Sequence, residues 1–354
     1  MCMKTIAITG ASGNLGGLLV EHLLQTTDWE IITFSSNDID KWMNNPRIHQ
    51  YRNAQILDVF PALQVDILVH FAFARRFRSN ADIASSLDFS EKVFKAVKNH
   101  TTCRLVNIST VGVYAANEDY MDEDALVGPD TIYGMAKYAS EVLMRSIFEG
   151  VLDRTTNLRL GGVAQSQRIL PVFIENACKN HQINITGGTQ QFSWIDIDDA
   201  ITAIAAALKM DKWQPTYNIT LDKKRYLITD IAKMVASQAE KLGYGNVEIC
   251  LTPQDIHLCV GWTSKRFIDD SGWTPEVSLE KTIEKINPLD GAKEFLDELR
   301  NLTQVVILSD TFYQFGAPLM KKLGNPTLLC NTLEVSDSGE IVGYKMRCEH
   351  SKLS

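Results

Sequence analysis

The 354-residue sequence has no apolar run long enough to span a bilayer, no basic stripe, no Cys-x-x-Cys pair, no internal repeat and no low-complexity segment. Each absence removes a class of function. Without an apolar run of about 20 residues there is no membrane span to predict. A net charge of −8 with no clustered Lys or Arg argues against nucleic acid as the main partner. Seven cysteines (Cys2, Cys103, Cys178, Cys250, Cys259, Cys330 and Cys348) with no Cys or His spacing suited to zinc predict reduced thiols and no metal site. Met1-Cys2-Met3-Lys4 runs straight into a strand-like segment, so no signal peptide is expected and the protein is predicted to be cytoplasmic. With 45% apolar residues the chain can fill the cores of two or three domains.

The chain does have glycine at a telling place. Lys4 to Thr9 reads as a short apolar strand and Leu15 to Leu24 as a helix with one apolar face. Between them Gly10, Gly13 and Gly16 permit a tight turn, close approach to a pyrophosphate and packing of helix on strand. The helix N-terminus then faces the anion.

Further along stands Tyr133-Gly-Met-Ala-Lys137. On a helix these two side chains share a face, and a nearby ammonium favours the ionised phenol. An isolated phenol titrates near pH ~10 and is a poor base at neutrality, so acid/base work by Tyr133 needs such a neighbour. The same pentapeptide also fits an amphipathic helix with a half-buried Tyr and a solvated Lys.

Strand candidates at Glu30 to Phe34, Gln55 to Leu57, Asp66 to Phe71, Arg104 to Ile108 and Asn157 to Leu160 alternate with helical or loop stretches. Alternation of this kind predicts an α/β fold: a Rossmann-like doubly wound parallel sheet with right-handed crossovers, binding ligands beyond the carboxyl ends of its strands. Gly10 to Gly16, Ser35-Ser36, Asp58, Ala72 to Ala74 and Ser109-Thr110 fall at those ends.

Residues 1 to about 286 resemble an extended short-chain dehydrogenase/reductase of the NAD-dependent epimerase/dehydratase family. The likeness is carried by Thr9 to Gly16, Asp58-Val59, His70-Phe-Ala-Phe-Ala74, Val106 to Tyr114, Tyr133 with Lys137, Phe192 to Ala200, and Ser264 to Leu279. It implies NAD or NADP as cofactor and Thr110, Tyr133 and Lys137 as the catalytic set. It also implies that Gly10, Ser12, Gly13, Asn14, Leu15, Gly16, Ser35, Ser36, Asp58, Val59, Phe71, Ala72, Ala74, Ser86 and Ile108 hold the dinucleotide, together with Tyr133 and Lys137. The implied reaction is hydride transfer at a hydroxyl or keto carbon of a nucleotide-sugar-like substrate. Ser109, which alternates to the other strand face, is the lesser alternative to Thr110. Thr110 also suits a simple strand-end capping role.

The same resemblance divides the chain into a dinucleotide-binding domain over 1–163, with 190–220 returning to it, and a smaller α/β substrate-binding portion over 164–286. Arg159, Arg168 and Arg266 are candidates to hold a substrate diphosphate. The helices Ser79 to His100 and Tyr133 to Glu149 suit a homodimer, and Phe89, Val93, Leu143 and Phe148 suit either that interface or the chain's own core.

Two departures stand out. The second strand ends Thr33-Phe34-Ser35-Ser36-Asn37, with no acid for a ribose 2′-hydroxyl. NAD versus NADP therefore stays open. Ser86 and Gly162 replace Asn residues common in relatives, which makes a standard UDP-galactose-type epimerase a poorer fit than a reductase or a divergent epimerase.

Residues 287–354 resemble instead a truncated stretch of a haloacid dehalogenase-superfamily (HAD-like) phosphatase, of the phosphoserine phosphatase and homoserine phosphotransferase kind. Pro288 to Ala292, Val305 to Tyr313, Pro326 to Cys330 and Ile341 to Tyr344 carry that likeness, with Ser309 at the phosphate-binding position. Such chemistry starts from an Asp nucleophile on an earlier strand and needs a later acidic pair for magnesium. No Gly-Asp-x-x-x-Asp follows through Ser354, and Asp196-Ile-Asp198 falls within the reductase pattern, so the expected fragment is inactive. A phosphatase or phosphotransferase and a non-catalytic dinucleotide sensor are the two alternatives to the oxidoreductase.

Overall fold

The computed structural model describes residues 4–37, 39–74, 79–115, 119–164, 169–256 and 258–285, together with the backbone of 306–312, 327–335 and 341–345. The first strand, β1 (Thr5–Thr9), is followed by α1 (Asn14–Thr26), β2 (Glu30–Ser35), β3 (Ile48–Arg52), a short α2 (Ile56–Val59), β4 (Ile67–His70), α3 (Asn80–Asn99), β5 (Arg104–Thr110), α4 (Ile132–Ile147) and β6 (Thr155–Leu160). Next come β7 (Gly162–Val163), α5 (Ile169–Asn180), β8 (Gln182–Thr186), β9 (Gln191–Phe192), β10 (Trp194–Ile195), α6 (Ile197–Lys209) and β11 (Thr216–Ile219). The succession continues with β12 (Tyr226–Leu227), α7 (Ile228–Lys241), β13 (Glu248–Thr252), α8 (Lys265–Ser271), α9 (Leu279–Glu284), β14 (Val306–Phe312), β15 (Thr327–Val335) and β16 (Ile341–Lys345).

Seven parallel strands form one sheet in the order β11-β6-β5-β4-β1-β2-β3. Alternate side chains feed two cores, as the pleat requires. Ile6, Ile8 and Ile31 pack with Leu19, Val20 and Leu23 of α1 and with Ala203, Ile204 and Leu208 of α6 on one face. Ala7, Ile32, Phe34 and Leu105 pack with Val93, Phe94 and Val97 of α3, with Met144 of α4 and with Phe148 just after it on the other. This is the doubly wound sheet that the strand-helix alternation predicts. Phe89, Val93, Leu143 and Phe148 belong to the second of these cores, so the chain itself uses them.

One predicted strand is misplaced. Gln55 to Leu57 lies in a 3-10 turn running into α2, and the third strand is Ile48–Arg52. Its Ile-His-Gln-Tyr-Arg sequence sits at a sheet edge and is buried only at Ile48, so its apolar signal is faint. The Gln55 side chain accepts from the Arg52 amide at 2.8 Å, which turns the chain out of the strand.

The chain divides into two compact units. The first comprises 1–171, 185–231 and 251–282 and holds the seven-stranded sheet. The second comprises 172–184, 232–250 and 283–354. In its C-terminal stretch β14 pairs parallel with β15, and β15 pairs antiparallel with β16. Ser309 falls within β14. Asp196, the first acid of the Asp-x-Asp triplet, is buried as the N-cap of α6, accepting from the Asp198 amide at 2.9 Å and from Thr282 Oγ1 at 2.6 Å.

Candidate active site

The order in which strands are added reverses at β1, whose neighbours are β2 and β4, and the glycine turn stands at its carboxyl end. Gly10 takes a left-handed backbone with φ +71°, and a Cβ there would lie 2.9 Å from the Ala72 amide nitrogen. At Gly16 a Cβ would lie 2.5 Å from the Gly10 carbonyl oxygen. Both positions therefore demand glycine. The turn is tied to β2 by Gly10 N–H donating to Phe34 O at 2.8 Å and to β4 by Phe71 N–H donating to Thr9 O at 3.2 Å.

Helix α1 begins at Asn14 behind Gly13, and no side chain caps it. Its first amides therefore present donors to an anion. A cavity of about 450 Å³ lies alongside, lined by residues that include Ser12, Gly13, Asn14, Gly17, Ile39 and Lys41. Close backbone approach, an uncapped 13-residue helix and adjoining space together fit the pyrophosphate and adenosine half of a dinucleotide.

Beside this turn a buried polar chain holds the β4 loop. His70 Nδ1 is 2.8 Å from Thr9 Oγ1 and its Nε2 is 2.9 Å from Ser90 Oγ. Complete burial and the Lys137 charge lower its pKa to about 3, so the ring is neutral. Ser86 Oγ accepts from the Ala74 amide at 2.8 Å and donates to Asp82 O at 2.8 Å, fastening the loop to α3.

Helix α4 starts at the catalytic candidates because Thr131 caps it, its Oγ1 accepting from the Gly134 amide at 3.1 Å. Tyr133 and Lys137 lie one turn apart on this helix. Lys137 is 3% exposed and donates from Nζ to Ile108 O at 2.8 Å, which anchors α4 to β5. Burial lowers its pKa to about 7, with the Glu141 charge acting the other way. Phe73 stands beside both groups: the Tyr133 ring meets it edge-on at 6.2 Å, and Lys137 Nζ lies 4.0 Å from its centroid. Thr110 closes β5, its Oγ1 accepting from the Gly112 amide at 3.1 Å. That bond leaves the hydroxyl proton to donate elsewhere.

Ser109 points to the opposite face, as alternation predicts, and donates to Glu141 Oε1. Glu141 is also gripped by Arg159, through Nε at 3.0 Å and Nη2 at 2.7 Å. The Arg159 guanidinium lies 4.7 Å from the Tyr114 ring centroid. Burial pushes the Tyr114 phenol up to about 12, and it donates to Asn218 Oδ1 at 2.8 Å, so this second phenol is a structural group.

The structure brings some of the residues named from the resemblance together and leaves others apart. Gly10 to Gly16, Phe71, Ala72 and Ala74 converge where the β1 and β4 turns meet, and buried Ile108 accepts the Lys137 bond. Asp58 is exposed on α2 and Val59 half-buried, beyond the tip of β3, whereas Arg52 and Asn53 occupy that tip. Ser35 is buried and donates to Asn37 O, while Ser36 is exposed. Arg159 is committed to Glu141, and Arg266 pairs with Glu123 at 3.5 Å and Asp124 at 2.6 Å, so both candidate diphosphate arginines have acidic partners. Asp38 and Arg168 lie outside the described residues. Sequence reasoning passed over Phe73, although it sits within the quoted His70 to Ala74 stretch. It also missed Glu141, one turn after Lys137 on the same face.

Sheet order, glycine turn and the Tyr-Lys helix define a Rossmann-like protein of the short-chain dehydrogenase/reductase type. The chain belongs to the NAD dependent epimerase/dehydratase family, whose model matches residues 6–220. The dTDP-glucose 4,6-dehydratase of Haemophilus influenzae is 23% identical over 326 residues, covering 79% of this chain and 95% of that protein. The crystal structure of Bacillus anthracis dTDP-glucose 4,6-dehydratase in complex with NAD shares the fold, with TM-score 0.68 and 17% identity over 80% of this chain and 94% of that one. Phosphoserine phosphatase ThrH of Pseudomonas aeruginosa is 54% identical over 74 residues, 21% of this chain. The matched stretch spans only 36% of that phosphatase's length. Among the described residues no helix is long and apolar enough to cross a membrane.

Proposed function

We propose that the protein is an NAD(P)-dependent oxidoreductase or epimerase acting at a hydroxyl or keto carbon of a nucleotide sugar. The observation that carries this reading is the locking of α4 onto the end of β5 through Lys137 and Ile108, which brings Tyr133 and Lys137 to the strand end that carries Thr110. Tyr133 takes the proton from the substrate hydroxyl on oxidation and returns it on reduction. Thr110 donates a hydrogen bond to the reacting oxygen, and Lys137 in its protonated form, which predominates below about pH 7, places positive charge beside the phenol and the cofactor ribose. Gly10, Gly13, Gly16 and the first amides of α1 hold the pyrophosphate. When bound, the nicotinamide supplies or accepts the hydride.

The test is incubation of the full chain with a dinucleotide deuterated at the transferring position and with UDP- or dTDP-linked hexoses and 4-keto hexoses, with products read by mass spectrometry. Deuterium should pass from the reduced dinucleotide to the sugar formed from a 4-keto hexose. Tyr133→Phe should cut turnover by roughly 10²- to 10⁴-fold while dinucleotide still binds. Undiminished turnover in that variant would sink the assignment of Tyr133. Dinucleotide binding with no turnover of any substrate would favour a sensor.

A second reading, phosphoryl transfer from the C-terminal stretch, has in its favour the 54% identity over 74 residues to a phosphoserine phosphatase. Magnesium-dependent phosphate release from phosphoserine, unchanged by Tyr133→Phe, would establish it.

A further inference from the structure

Phe73 stands on the loop after β4, and its chain neighbours are tied down on both sides. Ala72 N–H donates to Thr9 Oγ1 at 3.3 Å and Ala74 N–H donates to Ser86 Oγ at 2.8 Å. Thr9 is in turn joined to buried His70, whose Nε2 lies 2.9 Å from Ser90 Oγ. A half-buried side chain between two anchored amides has a fixed point of departure, so β1, β4 and α3 together aim the ring.

It is aimed at the Tyr-Lys helix. Lys137 Nζ lies 4.0 Å from the Phe73 centroid, well inside the reach of a cation–π contact. The Tyr133 and Phe73 rings meet at an interplanar angle of 83° with centroids 6.2 Å apart, an edge-to-face arrangement.

The buried ammonium has few other partners of use to it among the described residues. Lys137 is 3% exposed, and Ile108 O accepts from it at 2.8 Å. Glu141, one turn along α4, is gripped by the Arg159 guanidinium of β6 and accepts from Ser109, so a positive charge already answers its carboxylate. His70 at the end of β4 is neutral, and the Tyr114 phenol beyond Arg159 donates to Asn218. The electron-rich face of Phe73 therefore acts on the ammonium with no counter-charge to cancel it.

Resting on the reading of Tyr133 and Lys137 given above, we propose that Phe73 is a positioning residue for this pair: its ring face carries the buried Lys137 ammonium, and its edge-on contact sets the plane of the Tyr133 phenol. One side chain thereby ties the charge to the group it acts on. Leucine at this position would fill much of the space and supply neither interaction, whereas tyrosine keeps the ring.

The experiment labels the lysines of the full-length protein with carbon-13 at Cε and follows them by NMR from about pH 5 to about pH 11, a span that brackets the ordinary lysine range and its lowered values. The Lys137 signal is identified by its loss in Lys137→Met. Its midpoint is expected to fall by about one pH unit or more in Phe73→Leu and in Phe73→Met, and to stay near the wild-type value in Phe73→Tyr. Circular dichroism checks the folding of each variant, and the second ring-free variant stands in should the first not fold. The pH profile of kcat/KM for the nucleotide-sugar substrate should move in the same direction as the midpoint. An unchanged midpoint in a folded ring-free variant would overturn the proposal and leave the catalytic reading standing, since Tyr133→Phe tests that reading separately. A midpoint that falls as far in Phe73→Tyr as in Phe73→Leu would assign the effect to packing and overturn the part given to the ring. A shifted midpoint with undiminished turnover in Tyr133→Phe would overturn the catalytic reading, and with it the role of Phe73.

Discussion

Gly134 packs against Gly112 so tightly that a Cβ on it would lie 2.4 Å from the Gly112 carbonyl oxygen. The contact brings the first turn of α4, with Tyr133, against the 3-10 turn that follows Thr110. A side chain at 134 would have to push helix and strand end apart. In the sequence this glycine looks like the filler of the Tyr-Gly-Met-Ala-Lys pentapeptide; in the fold it sets the spacing between the start of α4 and the turn after Thr110.

Gly134→Ala should therefore cost about 1 to 3 kcal/mol in stability, the usual range for an overpacked site, even though alanine is the better helix former. Turnover should fall by at least about tenfold, since displacement of reacting groups by about 1 Å is expensive. Urea denaturation and steady-state kinetics of the same preparation check both. A variant as stable and active as the parent would show that α4 has freedom the packing does not suggest.

Lys137 gives a pH dependence whose sign is fixed. Burial lowers its pKa from 10.5 to about 7, so between those values the unfolded chain carries a proton on Lys137 that the folded chain does not. Stability rises with pH wherever the unfolded state binds more protons. Relative to Lys137→Met, the wild type should gain stability on the order of a few kcal/mol as pH rises from about 7 toward about 10. Thermal melts of both proteins across that window isolate the effect, because other titrating groups are common to the pair. A stability difference that stays flat with pH would mean that Lys137 keeps its ordinary affinity for protons.

The Glu141–Arg159 pair, at 1% and 4% side-chain exposure, stands one helical turn from Lys137. Glu141→Gln leaves a buried guanidinium without its counter-charge and should destabilise by about 3 to 5 kcal/mol. The double variant Glu141→Leu with Arg159→Met removes both charges and should recover much of that loss. Equilibrium urea unfolding distinguishes the outcomes. If the double variant is as unstable as the single one, packing around the pair matters more than its charge.

The readable part of the site was local. Gly10 to Gly16 announced itself because tight turns and close backbone approach have a short-range cause in φ and the absence of a Cβ. Tyr133 and Lys137 announced themselves through helical spacing. Glu141 and Phe73 did not, since each matters only through partners distant in sequence: Arg159 and Ser109 for the first, Tyr133 and Lys137 for the second. The third strand was misplaced for a related reason, as an edge strand with one buried position carries little apolar pattern.

By itself, then, the sequence determined the alternation of strands and helices, the glycine turn, the Tyr-Lys helix face and the family, because these follow from periodicity, backbone sterics and short spacings. Only the tertiary structure decided that Arg159 pairs with Glu141, that Asp58 stands away from the β3 tip, and that Arg52 reaches across to Ser36. Those outcomes depend on which strands become neighbours and how their ends align in three dimensions, and no local pattern of residues encodes that alignment.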